Sequence, residues 1–266
     1  MNFHFYRPKN EILKKYIEGF YFIKEDKKAE PVSYLTFPNN YCILTINRNF
    51  KVEISEHKVT LESSEVKNLT ASLVTRYMEP LQIQYHHLID EITIYFKPLG
   101  INYFIEDVTK IFEPGPLLNQ DFLSDFAATF SELFNLERND QITQIEDILL
   151  ANIKNTEVHL LTSIVKDVEA GLAVATVANQ HHMSRQYLGR LFKSKLGKTP
   201  SEFKKIDRFR KTFKAHKTAR NLTELSTLEF YDQSHFNKDF KKFTGKSPNQ
   251  FFKNVNTEKE NIWLFI

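Results

Sequence analysis

Cysteine is nearly absent from this chain of 266 residues. Cys42 stands alone, so no intramolecular disulfide can form and no cysteine-based zinc site can be assembled. Glycine is scarce, at 7 residues, which argues against glycine-rich nucleotide-binding loops and against collagen-like or propeller repeats. No apolar run approaches the ~20 residues that a membrane-spanning helix needs. The segment from Met1 to Phe20 carries charges throughout, where a signal peptide would have an apolar block. Together these absences imply a reducing, cytoplasmic setting. What the chain does have is core-forming material. Hydrophobic residues make up 41% and charged residues 26%, with 24 Phe and 11 Tyr. That composition belongs to a folded protein rather than a disordered one, and the length suits two domains of ordinary size.

Net charge is only +3, but it is unevenly placed. Residues 156–266 hold 20 Lys and Arg against 11 Asp and Glu, a balance of +9, whereas residues 1–155 hold 16 against 22, a balance of −6. The stretch 185–217 alone has 12 basic residues and two acidic ones, Glu202 and Asp207. Such asymmetry fits a C-terminal half that meets a polyanion, and equally fits a solvated helical face.

The C-terminal half also repeats itself. Phe192-Lys193, Gly197-Lys198-Thr199-Pro200 and Phe203 recur as Phe240-Lys241, Gly245-Lys246-Ser247-Pro248 and Phe251, at a constant offset of 48. The same offset pairs Leu188 with Phe236, Ser184 with Asp232 and Ala178 with Ser226. Solenoids need about three copies or more, so a tandem pair of small helical units is the better reading. In the first copy an apolar segment, Leu172 to Ala178, is followed by polar residues to His182. Ser184 then caps a helix in which Leu188, Leu191 and Phe192 recur at helical spacing, and Gly197 stops it. The unit is a helix, a short turn and a helix. The second copy has Leu222, Leu225 and Leu228 in its first helix, Asp232 as cap, and Phe236 and Phe240 facing inward in its second. Thr199-Pro200-Ser201-Glu202 and Ser247-Pro248-Asn249-Gln250 each read as a capping box opening a further helix. After Pro200 the stripe Phe203, Ile206, Phe209 and Phe213 predicts a long helix joining the two units.

Two superficial motifs carry nothing. Gly197-Lys198-Thr199 and Gly245-Lys246-Ser247 look like the end of a phosphate-binding loop, but Phe192 and Phe240 stand where that loop needs its first Gly. His86-His87 and His181-His182 are adjacent pairs, without the spacing that puts two ligands on one helix face. They read as surface or locally bonded histidines.

From about Thr162 to Val255 the chain resembles the DNA-binding domain of AraC family transcription regulators. The resemblance rests on Leu191-Phe192-Lys193, Gly197-Lys198-Thr199-Pro200, Arg208-Phe209 and Asp232-Gln233-Ser234-His235-Phe236, with Phe240-Lys241 and Gly245-Lys246-Ser247-Pro248 following. It implies two helix-turn-helix units joined by a long helix, each placing a recognition helix in successive major-groove segments about one turn, ~34 Å, apart. By position it implies base or backbone contacts from Arg185, Gln186, Arg190 and Lys193 in the first unit. In the second it implies Gln233, Ser234, Asn237 and Lys238, with His235 beside them. Lys198, Lys246 and the helix starts after Thr199 and Ser247 would hold phosphates. Gly189 sits where the family often has a longer contacting side chain. The family's second unit usually has a Gly just before the aromatic that precedes the Asp; here that residue is Glu229, and the turn is one residue shorter.

The N-terminal half is rich in strand signals: Tyr41 to Thr45, Thr70 to Thr75, Leu81 to Tyr85 and Glu91 to Phe96, with a turn at Pro38-Asn39-Asn40. Seven or so short strands suggest a small barrel or sandwich whose interior Tyr34, Tyr41, Cys42 and Tyr85 could line. Helical spacing follows over Phe122 to Phe134 and Ile142 to Ile153. The stretch Tyr95 to Gly100, with Phe104 after it, resembles the cupin-like effector or dimerisation domain attached to some AraC-type regulators. The expectation is an α+β chain of two domains: a β-rich module over 1–155, a DNA-binding domain over 156–255, and a tail over 256–266. Its expected role is sequence-specific transcription regulation, as activator or repressor. Expected partners are double-stranded DNA, RNA polymerase, a small-molecule effector and a second copy of the chain. No cofactor, metal or catalytic residue is expected. Two other readings remain: a partner-binding protein of the same fold that no longer contacts DNA, and an enzyme fused to a DNA-binding module, for which Cys42 is the only thiol on offer.

Overall fold

Period-two alternation of β-branched and aromatic residues builds the N-terminal half as two sheets. The strands are β1 (Ile17–Ile23), β2 (Val32–Thr36), β3 (Cys42–Arg48), β4 (Phe50–Ser55), β5 (Lys58–Ser63), β6 (Leu69–Val74), β7 (Leu81–Tyr85), β8 (Asp90–Phe96) and β9 (Leu117–Asn119). They are seen in a computed structural model, which describes residues 4–74, 77–112, 117–119, 124–154, 159–216, 225 and 233–254. One sheet runs β1-β8-β3-β6-β9 and the other β2-β7-β5-β4, antiparallel apart from the β5–β7 pair. The expected segments match β3, β6, β7 and β8 to within a few residues; Thr75 lies outside the described residues.

Alternation decides what each face meets. Leu44 and Ile46 of β3 and Ile92, Ile94 and Phe96 of β8 pack against a helical layer. Ile43, Thr45 and Asn47, with Glu91 and Tyr95, turn to the second sheet and enclose a cavity. Tyr34 and Tyr85 line that cavity as expected. Tyr41 and Cys42 do not: Cys42 has the parity of Leu44 and joins the helical side, and Tyr41 packs edge-on to Tyr95 outside it. The helical layer contains α1 (Thr109–Phe112), α2 (Ser124–Ala128), a 3-10 turn at Ser131–Asn135 and α3 (Arg138–Ala151). The single helix expected over Phe122 to Phe134 is therefore interrupted. The Thr129 amide and hydroxyl both return to the Phe126 carbonyl, at 3.2 and 2.6 Å, which ends α2. Phe122 itself lies outside the described residues.

The C-terminal half is helical: α4 (His159–Glu169), α5 (Val174–Gln180), α6 (Arg185–Leu196), α7 (Pro200–His216), α8 (Gln233–Thr244) and α9 (Pro248–Asn254). Their ends follow the sequence signals. Ser184 accepts from the Tyr187 amide at 3.1 Å and starts α6, and Gly197, at φ 68°, ends it. Gly245, at φ 70°, follows α8 in the same way. The Thr199–Glu202 box is closed in both directions, Thr199 N donating to Glu202 Oε2 at 2.8 Å and Glu202 N to Thr199 Oγ1 at 3.2 Å. Ser247 and Gln250 repeat it at 3.3 and 3.4 Å. Of the second unit's expected first helix only Leu225 is described, and it is fully buried. Leu222, Ser226, Leu228, Glu229, the cap Asp232 and the tail over 256–266 lie outside the described residues. No helix among the described residues is long and apolar enough to cross a membrane.

Two cores hold these helices. The first collects Ile164 and Val168 of α4, Val177 of α5, Leu188 and Phe192 of α6 and Phe203 of α7. The second collects Ile206, Phe209 and Phe213 of α7 with Phe236, Phe240 and Phe243 of α8 and Phe251 of α9. The single stripe on α7 thus serves both. The N-terminal half also packs into each core, with Leu99 buried in the first and Phe37 buried in the second, where Leu35 and Met78 lie beside it. Leu99 sits at φ 65°, a backbone conformation that costs a non-glycine residue ~1–2 kcal/mol, and its burial offsets that.

Thr199→Ala opens a closed capping box at the start of α7. It is expected to lower the unfolding free energy by about 1 kcal/mol, seen as a lower urea midpoint at unchanged slope.

Candidate nucleic-acid interface

The apolar stripe of each unit fixes which side chains are left outside. In α6, Leu188, Phe192 and Leu196 are buried, so Arg185, Gln186, Arg190 and Lys193 are exposed. Gln186, Arg190 and Lys193 fall at i, i+4 and i+7 and share one face. In α8, Phe236, Phe240 and Phe243 are buried, and Gln233, Ser234, Asn237 and Lys238 are exposed. Both helices therefore present donors and amides of the kind that read base edges. Lys246 is exposed just beyond α8.

Lys198 is the exception and corrects the sequence reading. It occupies the position of Lys246 in the first copy, yet it is only 2% exposed. The N-terminal half covers it: Lys198 shares a small pocket with Asn40, Cys42, Leu99 and Phe112. Phe112 packs on the adjoining Gly197 turn, 2.7 Å from where a Cβ would sit, and Asn102 Nδ2 donates to the Lys195 carbonyl at 3.0 Å. In this arrangement Lys198 has no path to a phosphate. Several cations of the basic stretch 185–217 are likewise engaged within the protein. Lys204 Nζ donates to the carbonyls of Gly171 and Leu172, and Lys211 Nζ to that of Glu169 at 2.6 Å, so both neutralise the C-terminal end of α4. Arg210 is bound to the Phe37 and Pro38 carbonyls, the latter at 2.8 Å.

Sequence reasoning passed over Tyr187, a large aromatic that is 49% exposed on α6, with the Arg190 guanidinium 6.0 Å from its ring centroid. Its signal was available: Tyr187 lies off the Leu188–Phe192 stripe. Asp239 of α8 is not a contact candidate, since it faces Lys205 and Arg208 of α7 at 3.9 and 3.7 Å and ties the two helices together. The histidines are local, as expected: His181 Nε2 lies 2.6 Å from Asp167 Oδ2. Around Gly189 a Cβ would meet nothing within 4 Å, so α6 has open space at that position.

Residues 177–254 match the family model described as a helix-turn-helix domain. The chain carries an AraC-type helix-turn-helix domain. That domain is of the DNA-binding kind. No curated protein matches the sequence. Among solved structures it is similar to ToxT from Vibrio cholerae, at 13% identity over 87% of this chain and 97% of that one, with a TM-score of 0.45. A structure of the same protein with an unsaturated fatty acid bound gives 14% identity over 92% and 96%, with a TM-score of 0.41.

Cys42, the thiol that a cysteine-based enzyme would use, is buried. Burial pushes Cys42 up to about 12, with the Lys198 charge pulling only weakly the other way. Iodoacetamide at pH 8 is therefore expected to leave Cys42 unmodified in the folded protein and to label it fully in urea. Lys246→Ala should reduce the slope of log affinity against log salt by about 0.9, one phosphate contact. Lys198→Ala should leave that slope unchanged and lower the unfolding midpoint instead.

Proposed function

We propose that the protein reads two successive major-groove segments with α6 and α8, and that its N-terminal domain biases this reading by sensing a small molecule. Arg190, Gln186, Asn237 and Lys238 are assigned to base edges, with Arg185, Lys193, Gln233, Ser234 and Lys246 around them on bases and phosphates. The observation that carries the assignment is the matched pair of helices, each with an apolar buried side and a polar exposed side, held by the shared helix α7. The domain boundary falls near 155–156. Recruitment or obstruction of RNA polymerase, a homodimer and a cytoplasmic location belong to the same reading.

A route for bias runs through Phe37. Tyr77 and Thr36 line the cavity between the sheets. The Tyr77 hydroxyl donates to the Phe37 carbonyl at 2.6 Å and accepts from Asn39 Nδ2 at 3.0 Å. Arg210 of α7 holds the same carbonyl from the other side, and the Phe37 ring meets Phe251 edge-on in the second helical core. A change in the cavity wall therefore reaches the unit that carries α8 through Phe37 and its neighbours Leu35 and Met78. A ligand acts there by its difference in affinity between two arrangements of the domains.

Selection of bound fragments from genomic DNA should yield a site with two half-sites about one turn, ~10 bp, apart. Equal, steeply salt-sensitive binding to the selected site and a scrambled duplex would overturn the reading, leaving an electrostatic footprint only. Arg190→Ala and Lys238→Ala should each relax specificity at one position and cost about 1–3 kcal/mol there. Phe37→Ala removes a buried ring, with an expected loss of about 3 kcal/mol in unfolding free energy. It should also change site affinity, although Phe37 is not on either recognition face.

A further inference from the structure

Between the two sheets the N-terminal domain encloses a cavity of about 90 Å³. Its walls are largely apolar, and Ile54, 51% exposed, sits at its rim. Its polar end is built by β8 and β3. Glu91 is only 2% exposed and lines the cavity. The Tyr21 hydroxyl donates to Glu91 Oε1 at 2.9 Å, the Thr93 hydroxyl to the same oxygen at 2.7 Å, and the Tyr85 hydroxyl to Oε2 at 2.7 Å. Directly opposite Glu91 in the β3–β8 register stands Asn47, also 2% exposed and also lining the cavity. Its Oδ1 is buried and has no hydrogen-bond partner.

This end of the cavity asks for donors and for positive charge. A carboxylate offers about four acceptor sites, of which three are taken here, and the Asn47 oxygen offers more. Among the described residues no basic side chain lines the cavity. Burial pushes the Glu91 carboxyl above its usual range, against the pull of its three hydrogen bonds. A buried carboxylate without a cation is costly, and a ligand that brings the cation removes that cost. The Tyr34 and Tyr85 rings, stacked with centroids 6.3 Å apart, add aromatic surface of the kind that attracts cations. An anionic ligand would meet the carboxylate with nothing among these residues to balance it.

We propose that this cavity binds a small primary amine, whose ammonium pairs with Glu91 and donates to the Asn47 oxygen while its short hydrocarbon part lies against the apolar walls. This rests on the reading of the N-terminal domain as the sensing domain, and names the class of molecule sensed. The Tyr21, Tyr85 and Thr93 hydroxyls hold the carboxylate in place, so the site is built before the ligand arrives.

The test uses the full chain and three probes of similar size: butylamine, butyrate and 1-butanol, compared by calorimetric titration and thermal melting at pH 7.5. Butylamine is expected to titrate at one site and raise the melting temperature, with butyrate and 1-butanol at least tenfold weaker. Glu91→Gln, which keeps acceptors for the three hydroxyls, should weaken butylamine at least tenfold. Asn47→Leu, which fills the orphan position, should weaken it as well and provides a second variant should Glu91→Gln not fold. Butyrate binding as tightly as butylamine, 1-butanol matching it, or no titration with butylamine would each overturn the proposal. Affinity for the selected DNA site, measured on the same ligand-free samples, separates the two claims. DNA binding without amine binding defeats the amine site alone, and amine binding without a preferred DNA site defeats the regulator reading alone.

Discussion

The whole arrangement depends on one helix being shared between two cores. Phe203 of α7 belongs to the first helical unit, and Ile206, Phe209 and Phe213 belong to the second. A helix rises 1.5 Å per residue and does not kink sharply without disrupting its hydrogen bonds, so a stripe buried at both ends fixes the spacing of what it joins. That constraint is what a protein needs if two recognition helices are to enter one face of a duplex in register. Removing apolar surface from water is the energy behind it, and the phenylalanines bring a large share of that surface at low entropic cost.

The N-terminal domain is not a separate body tethered to these units. It contributes Leu99 to one core and Phe37 to the other, and it covers the Lys198 position with Phe112 and its neighbours. Each contact is a side chain in a pocket, the type of packing that has discrete arrangements rather than a continuous range. Arg210 and Tyr77 converge on one carbonyl, that of Phe37, which also makes the turn between β2 and β3 the point where the cavity wall and the second helical core meet.

Much of this was legible in the sequence because it is local. The caps at Ser184, Thr199 and Ser247 and the stops at Gly197 and Gly245 each depend on residues within about one turn of the chain, and the 48-residue repeat shows by direct comparison of the two copies. The exposed faces of α6 and α8 followed by subtraction once the apolar stripe of each helix was drawn. The strands of the N-terminal half were found where alternation was strong. Their partners were not, since the pairing of β8 with both β1 and β3 joins residues far apart in sequence. Glu91 looked like any strand residue until the register set it opposite Asn47 inside the cavity.

Lys198 and Lys246 mark the boundary between the two kinds of information. The repeat makes them equivalent, and the sequence by itself determined their shared context: a left-handed glycine before, a capping box after. Only the tertiary structure decided that one is buried beneath the N-terminal half and the other is exposed. The same holds for Cys42, whose strand was evident but whose face and shifted thiol came from the helical layer behind it. A cap is decided by neighbours three residues away, whereas burial is decided by whatever segment arrives from a hundred residues away. The sequence therefore specified the two helical units, and the packing of one half on the other specified which of their charges stay exposed.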